Sequence, residues 1–408
     1  MSAEDSIRWL PVGEVGEVRM GKQLSPTSRA NGTQLPYLRV ANVYEGRITY
    51  ADVKAMGFSA VEQEVYKLLP GDVLLNEGQE NLGMVGRSAI YDGDPGAYHF
   101  QNTLIRFRPG SQVLPKYAQA VFVNWRRRGV FARVAEKTSI SHLGGSRFAK
   151  IIFPLRSLPE QLSLVEILEA LDESERAVEA SMAKVRQLRR GLLLAEMAPV
   201  SALKPRQGWS RVPLREVVPL AEYGISEALT SDPTGLPVLR MNNLQDGRPE
   251  VNDLRYCPVS VPKRLHLKHG DVLFNRTNSI DHIGKSAIWR GELPKASFAS
   301  YLVRLNPDRA KLSPEYLVEW LMHPVIRQRV KAISTVAVQQ VNVNPSRLRE
   351  LEIDFPDDAV EQHRIASTLA EFDARINREL VELAKLRKLK QGLTDDLLSG
   401  KVHLRDVA

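Results

Sequence analysis

Side chains that reach base-pair edges in a duplex groove pair by type: arginine with guanine, asparagine or glutamine with adenine, glutamate or aspartate with cytosine. Two stretches of this 408-residue chain concentrate those types directly after short apolar runs. Asn76-Glu77-Gly78-Gln79-Glu80-Asn81 follows Asp72–Leu75, and Asn275-Arg276-Thr277-Asn278-Ser279 follows Asp271–Phe274. Asn76, Glu77, Gln79, Asn81, Asn275, Arg276, Thr277 and Asn278 are therefore candidate base contacts. Ser141 and His142, within Ser139-Ile140-Ser141-His142, and Gln339, Gln340 and Asn342, within Gln339-Gln340-Val341-Asn342, form a second candidate set. Unconstrained polar loops and strand caps look the same in sequence, so that reading stays open beside the first.

Phosphate oxygens take Lys, Arg, Ser and Thr. Arg39 and Arg240 recur in Arg39-Val40-Ala41-Asn42 and Arg240-Met241-Asn242-Asn243, and identical residues in two places suit phosphate contact or turn structure rather than base discrimination. Arg87 and Lys285 each follow a glycine and read as backbone clamps. Arg126 and Arg127 belong to the positive run Arg126-Arg127-Arg128 beside Trp125, which also suits a solvated helix face.

Catalytic chemistry finds no comparable support. The nearest strings to an amino-methyltransferase loop, Asn344-Pro345-Ser346 and Asp232-Pro233-Thr234, lack its second proline and its aromatic. Gly284-Lys285-Ser286 looks like the end of a phosphate-cradling loop, but Ser279 stands where the first glycine belongs. His266 and His269 have no further ligand motif, so no metal site is expected. Glu222, Asp232 and Glu250 are scattered carboxylates on turns. The one cysteine, Cys257, rules out an intrachain disulfide and fits a reducing cytosol.

The elements that must position these residues come in two copies. Gly71-Asp72-Val73-Leu74-Leu75-Asn76 returns 199 residues on as Gly270-Asp271-Val272-Leu273-Phe274-Asn275. Gly86-Arg87-Ser88-Ala89-Ile90-Tyr91 returns after 198 as Gly284-Lys285-Ser286-Ala287-Ile288-Trp289, and Leu188-Arg189-Arg190-Gly191-Leu192 returns after 201 as Leu389-Lys390-Gln391-Gly392-Leu393. Such steady offsets mean a tandem duplication, which tends to pack about a pseudo-twofold axis and suits a ligand with two halves. Short apolar runs separated by Gly, Pro and Asn predict strands at Leu38–Val43, Asp72–Leu75, Gly86–Tyr91 and Thr103–Phe107. Their repeats are Val238–Leu244, Asp271–Phe274, Gly284–Trp289 and Tyr301–Leu305, with helical patterns near Lys116–Arg128 and Pro314–Val330.

Each copy ends in a long helix. Ser157 with Glu160, and Asp358 with Glu361, mark the starts as capping boxes. Leu164, Leu171, Val178, Val185 and Leu192 recur every seven residues, widened by Leu168, Met182 and Leu188. Leu369, Phe372, Ile376, Leu383, Leu386 and Leu393, with Ile365, Leu380, Leu389 and Leu397, stripe the second helix. Sustained heptads predict a seam, and each helix is its repeat's obvious partner. Both helices begin acidic and end basic. The macrodipole accounts for part of that, and antiparallel pairing sets unlike charges side by side. About 40 residues of helix span roughly 60 Å, a rod that would fix the separation of two globular parts.

The expected fold is α+β: two tandem-repeat globular domains separated by two long antiparallel helices, pseudo-twofold symmetric. Boundaries fall at 1–156, a helix over 157–200, 207–357, and a helix over 358–400. The formal charge of +8 and pI near 9.4 favour a polyanionic partner. With no apolar stretch approaching a membrane span and no signal-peptide pattern at the start, a cytoplasmic location is expected.

The chain resembles the DNA-specificity subunits of type I restriction–modification systems. The resemblance rests on Gly270-Asp271-Val272-Leu273-Phe274-Asn275-Arg276-Thr277 followed by Ile283-Gly284-Lys285-Ser286-Ala287. It extends to Gln340-Val341-Asn342-Val343-Asn344, leading through Leu348 and Ile353 to Phe355-Pro356 and Glu361-Gln362. The ending from Gln391-Gly392-Leu393 through Leu397-Leu398-Ser399-Gly400-Lys401-Val402 belongs to it as well. The first copy departs where Ser141-His142-Leu143-Gly144-Gly145-Ser146 replaces the Gln-Val-Asn-Val-Asn run. The resemblance implies a subunit without catalysis or cofactor of its own, each recognition domain reading half of a bipartite, asymmetric site in double-stranded DNA. It further implies two methyltransferase subunits with S-adenosylmethionine, and restriction subunits using ATP and Mg. A self-contained nuclease or methyltransferase, and a scaffold that binds no DNA, are the alternatives.

Overall fold

The computed structural model describes residues 7–26, 33–79, 81–135, 141–197, 204–245, 247–337 and 340–402. The chain divides into two compact units: residues 1–179 with 382–408, and residues 180–381.

In the first unit Gly16–Met20, Leu104–Pro109, Val73–Asn76 and Ser88–Ile90 form an antiparallel four-stranded sheet in that order. A second sheet places Thr33–Leu38 between Lys54–Phe58 and His99–Phe100, the last pairing being parallel. The second unit repeats both sheets. Leu220–Tyr223, Leu302–Asn306, Val272–Asn275 and Ser286–Ile288 form one, and Arg255–Cys257, Leu236–Leu239 and Ser297–Phe298 the other. Each unit also closes its first strand on its last: Arg8–Pro11 on Ile152–Leu155, and Trp209–Pro213 on Glu352–Pro356.

Helix Pro115–Arg127 covers the first four-stranded sheet through an edge-to-face aromatic core in which Phe122 meets Phe107 at 5.3 Å and Phe148 at 5.2 Å. The second unit uses an aliphatic core around Trp320, Leu317 and Val330. There the helical pattern near Pro314–Val330 forms two helices, Pro314–Met322 and Pro324–Ala332. Pro324 has no N–H to continue the first, and the His323 ring accepts from Val325 N to start the second.

Expectation and structure also part at Leu38–Val43 and Val238–Leu244. The strands end at Leu38 and Leu239, and the chain turns through Val40–Asn42 and Met241–Asn243. Asn42 Oδ1 accepts from Arg39 N at 3.0 Å, and Asn243 Oδ1 from Arg240 N at 2.9 Å, so a buried side chain replaces the next ladder bond.

The long helices run Leu158–Glu196 and Ala359–Ser399. Glu160 accepts from Ser157 N at 3.1 Å and from Ser157 Oγ at 2.8 Å, whereas Asp358 caps through Val360 N and Glu361 turns to Arg364. Within each unit the two helices pair antiparallel. In the first, Lys390 meets Asp172 and Glu175 while Arg387 meets Glu175 and Glu179; in the second, Arg189 meets Asp373 and Arg364 meets Glu196. Acidic helix starts therefore oppose basic helix ends. Leu164, Val185, Leu369 and Leu383 are buried; Leu171, Val178, Leu192, Phe372, Ile376, Leu386 and Leu393 are half-buried. Leu188, Leu380 and Leu389 fall outside the seam and are exposed.

A glutamine joins each globular part to its helix. Gln161 donates to Gln112 O and Arg156 O and accepts from Leu114 N, each at 2.8 Å. Gln362 makes the same three bonds with Lys311 O, Pro356 O and Ser313 N. Both are buried with every polar atom satisfied, which fixes the angle at which each helix leaves its core.

Candidate nucleic-acid interface

The two candidate sets, some 65 residues apart in sequence, meet in one small ribbon per unit. Gly78–Gln79 pairs antiparallel with Ser141–His142 in the first. In the second, Thr277–Asn278 pairs with Gln340–Asn342, which also pairs with Thr335–Ala337. The ribbons are equivalent bond for bond. Leu143 N donates to Glu77 O at 2.9 Å and Val343 N to Arg276 O at 2.8 Å; Glu77 N donates to Thr103 O and Arg276 N to Tyr301 O. A two-stranded ribbon such as the first fits a B-DNA major groove.

What the ribbons present differs. Glu77 Oε2 lies 2.7 Å from His142 Nδ1. At the place of Glu77 the second unit has Arg276, its guanidinium 5.2 Å above the ring of Tyr223 and without a carboxylate partner among the described residues. Tyr223 and Tyr301 are each about half exposed beside Arg276; no sequence signal marked them, since each is a lone aromatic at a strand end. Thr277 Oγ1 donates to Asn342 Oδ1 at 2.6 Å. Gln340 is exposed, and Asn278 and Asn342 are half-buried.

Several candidates sit elsewhere than their sequence role requires. Asn76, Asn275 and Thr277 are 0%, 0% and 4% exposed, closed into strand ends, so the base contacts expected of them would need the strands to open. Asn81 is exposed but accepts from Gly83 N, capping a turn. Gln339 lies outside the described residues, as do the side chains of Gln79 and Ser141.

The phosphate candidates divide likewise. Arg39 is bonded to Asp52 at 2.5 Å and Arg240 to Asp253 at 3.0 Å, while Asn42 and Asn243 donate to the carbonyls of those same aspartates. The shared Arg-x-x-Asn string is thus a loop clamp whose charge is already neutralised. Arg126 is held by Glu45 at 2.7 Å and by Gly83 O. Arg127 is exposed. Arg87 stacks 4.8 Å over Tyr44, which also carries Arg47 at 5.3 Å, and the equivalent Lys285 donates to Gln245 at 2.7 Å beside Arg248.

The glycines before Arg87 and Lys285 serve packing, not phosphate. Gly86 and Gly284 take φ of +77° and +74°, and a Cβ there would fall 2.0 Å from the Phe131 ring and 2.8 Å from Val330. Glu222 accepts from Arg304 and Asn306 and keeps its carboxyl low; although burial alone would raise it, these bonds and the nearby Arg264 outweigh that. Asp232 caps a turn at Thr234 N. Among the described residues no three His, Cys, Asp or Glu side chains gather where they could hold a metal ion.

The helix faces differ too. Arg387 is neutralised by Glu175 and Glu179. Its equivalent, Arg186, lines a cleft of about 540 Å³ together with Ile376, Leu380, Arg190 and Arg248. Glu319, against Arg189 and Asp373, has its carboxyl raised chiefly by burial.

The model of the type I restriction modification DNA specificity domain matches residues 9–184 and again 206–388. The chain belongs to that family. The specificity subunit of type I restriction enzyme EcoKI from Escherichia coli K12 is 21% identical, covering 90% of this chain and 82% of that one. The putative MjaX specificity subunit of Methanocaldococcus jannaschii is 29% identical over 199 residues, 48% of this specificity subunit and 47% of the archaeal one, so the match there spans about half of each. Among solved structures, a chain from work on complex assembly and conformational transition of the type I R-M system superposes with a TM-score of 0.64 at 17% identity, covering 96% of this chain and 97% of that one. No helix among the described residues is long and apolar enough to cross a membrane.

Proposed function

We propose that this specificity subunit reads a bipartite, asymmetric site in double-stranded DNA, one half through each ribbon, and that its paired helices set the unread spacer and carry two methyltransferase subunits. Restriction subunits join that assembly. Methyl transfer with S-adenosylmethionine, and ATP- and Mg-dependent translocation and cleavage, belong to those partners, and the complex works in the cytoplasm. The observation that carries the reading is a shared framework whose ribbons bear different side chains at equivalent positions. Gln161 and Gln362, Asn42 and Asn243, and Gly86 and Gly284 repeat their roles, while Glu77 stands where Arg276 does, and His142 where Asn342 does. Two copies of one framework with different readers suit two different half-sites.

Long-read methylation mapping in the host tests this directly: a split motif with a fixed spacer, altered in one half only by Arg276→Ala, is the expected result. The purified chain should bind random duplex with steep salt dependence and turn over nothing with Mg²⁺ and S-adenosylmethionine. A contiguous motif, or turnover by the chain alone, would refute the proposal.

A further inference from the structure

We infer that the first ribbon reads an exocyclic amino group through Nε2 of His142, and that Glu77 is not a base reader but the positioning residue that fixes the ring's tautomer. The inference rests on the ribbon facing DNA, as proposed above. Glu77 is held at both backbone ends, its N donating to Thr103 O at 3.0 Å and its O accepting from Leu143 N at 2.9 Å, and only 9% of the residue is exposed. Its carboxylate stands 2.7 Å from Nδ1 of a ring whose side chain is 45% exposed. An ionised carboxylate can only accept, so Nδ1 carries the hydrogen, and a neutral imidazole then has a bare lone pair on Nε2. Among the described residues Nε2 has no partner. The backbone beneath the ring is pinned as well, Arg147 donating to His142 O at 3.1 Å and to Leu143 O at 3.0 Å.

An acceptor fixed in the major groove accepts from adenine N6 or cytosine N4 and is repelled by guanine O6 and N7 and thymine O4. The second unit anchors the same position differently. Asn342 faces Thr277 across the ribbon, and the Thr277 hydroxyl occupies the amide oxygen, so the group left to act is the amide donor. In the first unit the facing residue is Gly78, which has no side chain, and the anchor comes from the neighbouring Glu77. One ribbon position therefore reads opposite polarities in the two half-sites.

The test uses the full chain on duplexes carrying the mapped motif, with single adenines replaced by purine or cytosines by 2-pyrimidinone in the first half-site. One such replacement should weaken wild type roughly tenfold. His142→Ala should abolish that sensitivity, and Glu77→Ala should reduce it severalfold, both leaving discrimination in the second half-site intact. Side-chain NMR of His142 should show the Nδ1–H tautomer in wild type and its loss in Glu77→Ala. Undiminished amino-group sensitivity in His142→Ala, or an Nε2–H ring in wild type, would overturn this inference while leaving DNA reading standing. Absence of salt-dependent duplex binding by wild type would overturn the DNA reading, and this inference with it.

Discussion

At one point of two equivalent ribbons, the first unit places a carboxylate bonded to an imidazole and the second a guanidinium stacked on a tyrosine. The backbone bonds around Glu77 and Arg276 are the same, so the framework does not select the residue. Selection must come from what the ribbon meets. The contrast extends inward: the first unit packs its four-stranded sheet with Phe107, Phe122 and Phe148, the second with aliphatic side chains around Trp320. Even the helix faces diverge, since Arg387 meets two glutamates where Arg186 has no carboxylate partner among the described residues.

The sharpest way to break the comparison is at the glycines. Gly86→Ala drives a Cβ to 2.0 Å from Phe131, while Gly284→Ala meets Val330 at 2.8 Å, both at positive φ. The first should cost about 3 kcal/mol or more and the second roughly 2. Hydrogen exchange resolved by unit under rising urea will show whether the first unit opens earlier; equal losses would refute the packing contrast.

Next in size is the split between reading and clamping. Arg276→Ala should lose about 1–3 kcal/mol of discrimination at one base pair of one half-site. Lys285→Ala should weaken all sequences alike and lower the salt slope by about 1. Competition gel shifts at several salt concentrations measure both, and matching profiles would dissolve the distinction.

Acid stability separates the units more finely. Burial lowers His323 to about 4, while its equivalent in the first unit, Asn124, does not titrate. A histidine depressed on folding lends stability that is complete above its ordinary value and fades as pH falls toward the folded value. The second unit should therefore lose on the order of 1 kcal/mol between pH 6.5 and 5.5, and His323→Asn should remove that slope. His99, also lowered by burial, gives the first unit a slope of its own that His323→Asn leaves untouched. Urea midpoints followed by unit across this range decide the matter.

The smallest difference is on the helices. Arg387→Ala should cost about 0.5 kcal/mol and Arg186→Ala close to nothing, read as melting temperatures, because among the described residues Arg387 alone of the two has carboxylates to lose.

Much of this was legible in the chain. Heptads and charge gradients give two long helices and their antiparallel sense, since both depend on spacing along one helix face. The Gly-Asp string locates a central strand and the Gly-Arg/Lys-Ser string the neighbouring edge strand of each four-stranded sheet. Roles within the candidate site were less legible, because burial and hydrogen bonding depend on residues far away in sequence. Asn76 and Glu77 are neighbours in one polar loop, yet one is sealed in a strand end and the other reaches a histidine 65 positions on. Arg39 and Arg240 carry the charge a phosphate needs, but Asp52 and Asp253, distant by a whole turn and strand, have already taken it.

The sequence by itself determined the duplication, the helical pairing and the family, because each is written in periodicity or in short strings that need no partner to be read. Only the tertiary structure decided which polar residues present themselves. Each ribbon joins segments some 65 residues apart in the chain, and hydrogen bonds there separate side chains that hold the loop from those left to face outward.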